Sequence, residues 1–224
     1  MESIAVLIPC YNEAQTIADV VADFRKELPD ARIYVFDNNS SDATIQNAKE
    51  AGALVEKVGR QGKGSVVREM FRKVEADIYV IVDGDLTYPA EAVHQLIEPV
   101  RNGEADMTVG DRHSSQAYQK ENKRRFHQFG NTLVRDLINQ LFGAQLKDIM
   151  SGYRCFSRCF VKTCPVMSDG FEIETELTLH ALDKKFSLAE VPIQYKDRPA
   201  GSTSKLNTYL DGVRIIKTIF RLFK

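Results

Sequence analysis

The sequence has no apolar run of about eighteen residues, so no segment reads as a membrane-spanning helix. It has no charge excess of either sign: 30 Lys and Arg stand against 31 Asp and Glu, a formal net charge of −1. Global charge therefore gives no argument for nucleic acid, which is not expected as a partner. Any electrostatic function must come from local clusters. Cysteine is sparse. Cys10, Cys155, Cys159 and Cys164 complete no zinc spacing with histidine, which leaves buried or free thiols in a reducing cytoplasm. His94, His113, His127 and His180 are scattered, and none is assigned to a metal. The first apolar segment, "IAVLIP", is too short for a secretory signal and lacks a basic start. There is no internal repeat, no low-complexity segment and no clear linker. What remains is a chain of 224 residues, 43% hydrophobic, which reads as one domain with a C-terminal appendage.

Alternation is what the chain has in abundance. Apolar, β-branched runs predict strands at 3–9, 31–37, 53–58, 77–83 and 106–110. Between them, helical spacing predicts helices at 12–28, 42–52 and 63–75, and one from Pro89 to about Arg101. Strands alternating with helices argue a parallel sheet covered on both faces. Ligands of such sheets bind at the carboxyl ends of the strands. "PCYNE", "DNNSSD", "GRQGKG" and "DGD" all follow strands, so they should converge on one edge. After residue 110 the alternation ends. A polar, basic loop at 114–131 runs into a helix at 132–142, then a turn with a short strand at 147–158, a helix at 171–185 and a strand at 186–196.

The sharpest local signal is "IVDGDLTYPAEAV", residues 81–93. If the turn is extended, Asp83 and Asp85 point the same way and repel unless a cation or a proton intervenes. The pair reads as a site for a hard ion, Mg²⁺ or Mn²⁺, meeting a phosphate, or else as a solvated acidic turn. Lys63 sits between two glycines at a helix start, where anions are favoured, although no Ser or Thr follows it as in a Walker loop. A plain surface turn is the other reading. "QKENKRRFH" gathers Lys120, Lys123, Arg124, Arg125 and His127, which form either an anion site or a solvated face.

"IPCYNEAQTI", "DNNSSDAT", "RQGKGSVVREMF", "VDGDLTYPAE", "VGDRHSS", "DIMSGYRCFSR" and "DRPAGSTSKL" occur in the order seen in family 2 glycosyltransferases. Over about residues 3–210 the chain most resembles the dolichyl- and polyprenyl-phosphate sugar transferases. The resemblance implies an α/β GT-A fold, a Rossmann-like, mostly parallel central sheet flanked by helices, with a C-terminal amphipathic helix added. It implies a metal-dependent nucleotide-sugar site and inversion at the anomeric carbon of a hexose. A UDP-linked donor is favoured, with GDP-mannose as the alternative.

Asp85 would be the main metal ligand, with Asp83 near the ribose or the metal. Pro9, Tyr11, Glu13, Asp37, Asn38, Lys63 and Gly84 would line the nucleotide-sugar pocket. Asn38 stands where the usual relatives have a second Asp, and Thr87 where some have a Gln. Arg112 and one of Arg124 and Arg125 would bind the acceptor phosphate. Arg198, Ser204 and Lys205 would lie on a loop closing over the donor diphosphate or the acceptor. Asp148 is the candidate base. A phosphate acceptor has a second pKa of about 6 and needs no base, in which case Asp148 orients the arginines or the sugar. Glu174 is an active-site neighbour or a salt-bridge partner. The rival readings are a saccharide-hydroxyl acceptor, a catalytically silent nucleotide-sugar or membrane binder, and a sugar-1-phosphate nucleotidyltransferase. The last is disfavoured because no Gly-rich signature follows the first strand.

The organisation expected is a catalytic domain at 1–204 and a basic amphipathic helix at 205–224. Leu206, Tyr209, Leu210, Val213, Ile216, Phe220 and Phe223 fall at helical spacing beside a stripe of Arg214, Lys217, Arg221 and Lys224. The helix either docks on the domain or lies on an anionic leaflet, at the cytoplasmic face of the membrane. Relatives of this kind commonly continue into transmembrane helices, and the chain reads as stopping short of them. Oligomeric state is open, a homo-oligomer included.

Overall fold

The computed structural model describes residues 2–114, 125–199, 201, 205 and 208–223, with the backbone alone at 125–130, 208 and 209. β1 (Ile4–Cys10) is apolar on both faces, as a central parallel strand must be. It pairs in parallel with β2 (Arg32–Asp37) and β4 (Ile78–Ile81), and β2 pairs in parallel with β3 (Leu54–Lys57). The register sets Cys10 beside Asp37 and Leu7 beside Ile81, so the ends of β1, β2 and β4 meet at one edge. β5 (Met107–Asp111), β6 (Arg154–Ser157) and β7 (Leu188–Pro192) complete a sheet of order β3-β2-β1-β4-β6-β5-β7. β6 alone runs antiparallel, to both β4 and β5. Its start therefore lies where its neighbours end, and the 147–153 turn before it reaches the same edge.

Among the described residues, α1 (Ile17–Glu27), α2 (Thr44–Glu50) and α4 (Val93–Arg101) cover one face of the sheet, with Phe24, Leu96 and Tyr153 in the core. α3 (Lys63–Lys73), α6 (Arg158–Thr163) and α7 (Ile173–Asp183) cover the other, around Met70, Phe71, Phe156 and Phe160. Each fully buried aromatic or aliphatic side chain contributes about 1.5–3 kcal/mol. A third cluster joins α5 (Arg125–Phe142), α7 and α8 (Thr208–Leu222) through Val134, Ile138, Leu179, Ile215 and Ile219. The C-terminal helix thus docks on the domain along one face. Leu210, Val213 and Phe220 remain 62%, 56% and 60% exposed on the other.

Three helix starts differ from the sequence expectation, and the largest difference is α5, which begins at Arg125 rather than at 132. α1 begins at Ile17 rather than at 12, because Asn12 takes a left-handed φ of 53° and its side chain accepts from the Ser41 N–H at 2.8 Å. Pro89 is extended (φ −72°, ψ 125°) rather than helical. A 3₁₀ turn over Ala90–Ala92 then leads into α4. α6 is a short helix that the sequence reading did not anticipate.

The start of α3 is closed by a distant loop. The Gly64 N–H donates to Gly170 O at 3.1 Å and the Ser65 N–H to Asp169 O at 3.2 Å. Arg68 donates to the Met167 and Ser168 carbonyls at 3.0 and 2.9 Å. A Cβ on Gly64 would strike the Ser168 backbone. Gly64→Ala should therefore cost about 1–3 kcal/mol by overpacking, read as a lower midpoint in urea denaturation. An unchanged midpoint would contradict this packing.

Candidate active site

β4 delivers Val82 and Asp83 to the sheet edge, and the chain then turns through Gly84, Asp85 and Leu86, the last at φ 63°. Only glycine fits at 84: a Cβ would lie 2.7 Å from Cys10 Sγ. The Thr16 hydroxyl fixes the turn by donating to Gly84 O at 2.6 Å. The two carboxylates face different cations. Asp83 Oδ1 meets Lys63 Nζ at 2.5 Å, and the same ammonium meets Glu174 Oε1 at 2.5 Å. Asp85 is 2% exposed. Its Oδ1 accepts from the Thr87 hydroxyl at 2.6 Å, and its Oδ2 faces Arg198 Nη2 at 2.5 Å.

Burial raises the Asp85 carboxyl above its ordinary pKa, the Asp83 charge adds to that, and Arg198 opposes it. Burial alone would lower the Lys63 ammonium, but Asp83 and Glu174 outweigh it and hold the proton on. Among the described residues no group of three or more His, Cys, Asp or Glu gathers as a metal cage. Two carboxylates on one turn fit a Mg²⁺ or Mn²⁺ ion, which is usually held by one or two protein carboxylates with substrate phosphates and water.

One side of this edge is built on the ends of β1 and β2. Asp37 is 1% exposed, and its Oδ2 accepts from the Ser40 N–H at 3.1 Å. Its Oδ1 is buried with no hydrogen-bond partner among the described residues. The Asn38 side chain is buried against backbone. Its amide donates to Val58 O and Arg60 O, each at 2.9 Å, and accepts from the Gly62 N–H at 2.7 Å. It staples the "GRQGKG" turn to β2, a task a carboxylate could not perform because it only accepts. Glu13 binds Lys205 Nζ at 2.5 Å and lies 3.5 Å from Arg198 Nη1. Tyr11 stands 40% exposed at the mouth, and Pro9 lies within β1 opposite Phe36.

β5 and the 147–153 turn form the other side. Arg112 grips Asp148 from two directions, Nε to Oδ2 at 2.7 Å and Nη2 to Oδ1 at 2.9 Å, and its backbone N–H adds a bond of 3.1 Å. Burial would raise the Asp148 carboxyl, but the guanidinium prevails and holds it below the usual carboxylate range. Glu190 orients the turn by accepting from the Lys147 and Asp148 N–H groups, each at 2.8 Å. The Tyr195 ring lies 5.5 Å from the Arg112 guanidinium and packs edge-on against Tyr88.

One edge therefore carries Tyr11, Glu13, Asp37, Lys63, Asp83, Asp85, Arg112, Asp148, Arg198 and Lys205. Arg124 and Ser204 lie outside the described residues. Arg125 opens α5, with its side chain outside them. The sequence reading missed Tyr88, Glu190 and Tyr195. Tyr88, three residues after Asp85, was the one with a local signal.

Residues 5–163 match the family model described as glycosyl transferase family 2. The chain belongs to that family. It is 34% identical over 224 residues to the glycosyltransferase AglJ of Haloferax volcanii, covering 100% of this chain and 73% of that protein. It is also 29% identical over 221 residues to a dolichyl-phosphate hexose transferase of the same organism, covering 99% and 94%. Among solved structures, it is similar to glucosyl-3-phosphoglycerate synthase from Mycobacterium tuberculosis in complex with Mn²⁺, UDP and phosphoglyceric acid. That likeness has a TM-score of 0.82 at 20% identity, covering 99% of this chain and 78% of that one. The fold is GT-A.

The Asp148–Arg112 pair has a pH signature. With the native pKa depressed, its contribution is complete above the unfolded value of about 3.9 and is lost as pH falls through the lower native value. Asp148→Asn should cost about 3–5 kcal/mol at neutral pH, because it leaves a buried guanidinium uncompensated. It should also shed less stability than wild type on acidification below about pH 4. Denaturation midpoints across that range decide, and an acid slope as steep as wild type would refute the pairing.

Proposed function

We propose that the chain transfers a hexose (glucose, N-acetylglucosamine or mannose) from a nucleotide sugar, UDP-linked in preference to GDP-linked, to polyprenyl phosphate, with inversion. The observation that carries this reading is the state of Asp148. A carboxylate held below its usual range by Arg112 is a poor base, so the acceptor side offers a cation instead. That suits an acceptor already anionic at neutral pH. The names of full-length relatives, dolichyl-phosphate hexose transferase among them, support the same acceptor class.

On this reading an acceptor phosphate oxygen attacks the anomeric carbon from the face opposite the leaving group. The carbon–oxygen bond to the nucleoside diphosphate breaks, and its electron pair leaves with the diphosphate. No proton has to be removed. Arg112 positions the incoming phosphate, and Arg198 and Lys205 lie where the diphosphate arrives, so the protein's main task is to hold two anions in line. Asp85 and Asp83 would hold a divalent ion, which supplies neutralisation of the leaving diphosphate. Asp37 Oδ1 is the group offered to the nucleoside.

A donor panel with Mn²⁺ or Mg²⁺, with polyprenyl phosphate or the free polyprenol, tests this. Transfer should require the phosphate, and Asp85→Asn should lose at least about 10²-fold, the scale of removing one charge-stabilising group. Equal use of the free polyprenol or of a saccharide hydroxyl would overturn the acceptor, and the absence of any donor turnover would leave a binding protein.

We place the reaction at the cytoplasmic membrane face, with α8 as the contact. Among the described residues no helix is long and apolar enough to cross a membrane. α8 instead presents exposed Leu210, Val213 and Phe220 beside Arg214, Lys217 and Arg221. Each basic residue near an anionic leaflet adds about 1 kcal/mol, screened by salt. Because Ile215 and Ile219 belong to the core, outward-facing substitutions test the contact better than deletion. Val213→Ser with Phe220→Ser and Lys217→Glu should abolish sedimentation with anionic vesicles and leave water-soluble donor hydrolysis intact. Salt-independent wild-type binding, or binding unchanged in the variant, would remove α8 from the contact.

A further inference from the structure

Arg154 places a full charge where the sheet is driest. Its side chain is among the largest that are fully buried, at 1% exposure. It opens β6, paired with Ile81 of β4 on one side and Val109 of β5 on the other. β4 leads into Asp83 and β5 into Arg112, so Arg154 stands between the strands that deliver the two halves of the site.

Among the described residues it makes no ion pair at contact distance, and its fork is spent on neutral acceptors. Nε donates to Ser151 O at 2.9 Å, Nη2 to Ile149 O at 2.5 Å and Nη1 to Thr178 Oγ1 at 2.9 Å. The two carbonyls bracket Met150 in the turn 148–152. The first residue of that turn, Asp148, holds Arg112. The last, Gly152, is pressed against the donor side. A Cβ there would lie 2.9 Å from the Asp83 carboxyl carbon and 3.0 Å from Lys63 Nζ. Thr178 in turn donates to Glu174 O at 3.0 Å, and the Glu174 carboxylate holds Lys63. Asp83, Lys63, Glu174, Arg154, Asp148 and Arg112 thus alternate in sign from the donor carboxylate to the acceptor arginine.

We propose that Arg154 is the positioning residue that sets the spacing between the Asp83–Lys63 side and the Asp148–Arg112 side, by gripping the 148–152 turn from inside the sheet. It touches no substrate, and its role rests on the transferase reading above. Burial pushes its pKa down to about 10, with Glu174 and Asp148 opposing, so the charge persists at neutral pH. A guanidinium is required because a lysine in its place is a point donor that cannot hold three acceptors in one plane.

The full chain, carrying Arg154→Lys or Thr178→Val, is tested for thermal midpoint, UDP affinity with Mn²⁺, and kcat and KM with polyprenyl phosphate. Transfer per folded molecule should fall about 10–100-fold in Arg154→Lys and about tenfold in Thr178→Val, the scale for losing an orienting partner. UDP affinity should change much less. The alkaline limb of the Arg154→Lys profile should move to lower pH, because a buried lysine loses its proton more readily than an arginine. Thr178→Val removes the bond from Arg154 Nη1 and the bond to Glu174 O, leaves the guanidinium bonds to the Ile149 and Ser151 carbonyls, and keeps the test decisive should Arg154→Lys fail to fold. Wild-type kinetics per folded molecule in the variants, with only the thermal midpoint lowered, would overturn the proposal, as would loss of UDP affinity as large as the loss of transfer. Wild-type use of a different acceptor would fail the proposed function instead, and the variant-to-wild-type ratio would then be read with that acceptor.

Discussion

The structure depends on neutralising carboxylates crowded at one sheet edge. Glu13, Asp37, Asp83, Asp85, Asp148 and Glu174 all lie near it, and all are buried except the half-buried Asp83. The cations come from separate segments: Lys63 from α3, Arg112 after β5, and Arg198 and Lys205 after β7. Burying ions costs several kcal/mol each, and pairing seldom returns more than that. The network is thus weak evidence for stability and stronger evidence for placement. Each pair fixes one segment against another, and removing one partner strands the other in a dry environment.

The antiparallel β6 is what lets the halves meet. A parallel strand there would have put the 147–153 turn at the opposite edge, away from Asp83 and Arg112. Running backwards, β6 brings Asp148 beside Arg112 and Gly152 beside Asp83, with its first residue directly beneath both. The sheet order therefore does chemical work: β4 and β5, which carry the two sides of the site, are separated by one strand whose leading turn bridges them.

Much of this was legible in the chain, for identifiable reasons. β1, β2 and β4 are near-continuous apolar runs, so their strand character and shared edge follow from pattern alone. The acidic hairpin stood out in the sequence because two carboxylates flank a single glycine. Pairings across the sequence were not readable. Arg68 and Asp169 are 101 positions apart, and nothing local announces their contact. The bonds of Asn38 were hidden in the same way: its ability to donate as well as accept is used on the backbone of Val58, Arg60 and Gly62, 20 to 24 positions on. Arg154 opens the short strand Arg154–Ser157, and its burial between β4 and β5 is likewise a matter of long-range pairing.

The choice between lysine and arginine at each position follows from geometry rather than charge. Lys63 must satisfy carboxylates arriving from β4 and α7, and a compact ammonium with three rotatable donors can turn to both. Lys205 likewise reaches the Glu13 carboxylate and the Asn12 carbonyl at once. Arg112 meets a single carboxylate face-on through Nε and Nη2, the parallel two-bond geometry that a lysine cannot reproduce. Its flat guanidinium also lies against the Tyr195 ring. Exchanging lysine for arginine at 63 or arginine for lysine at 112 would keep every formal charge and still undo the site, because the flexible donor and the rigid fork solve different problems.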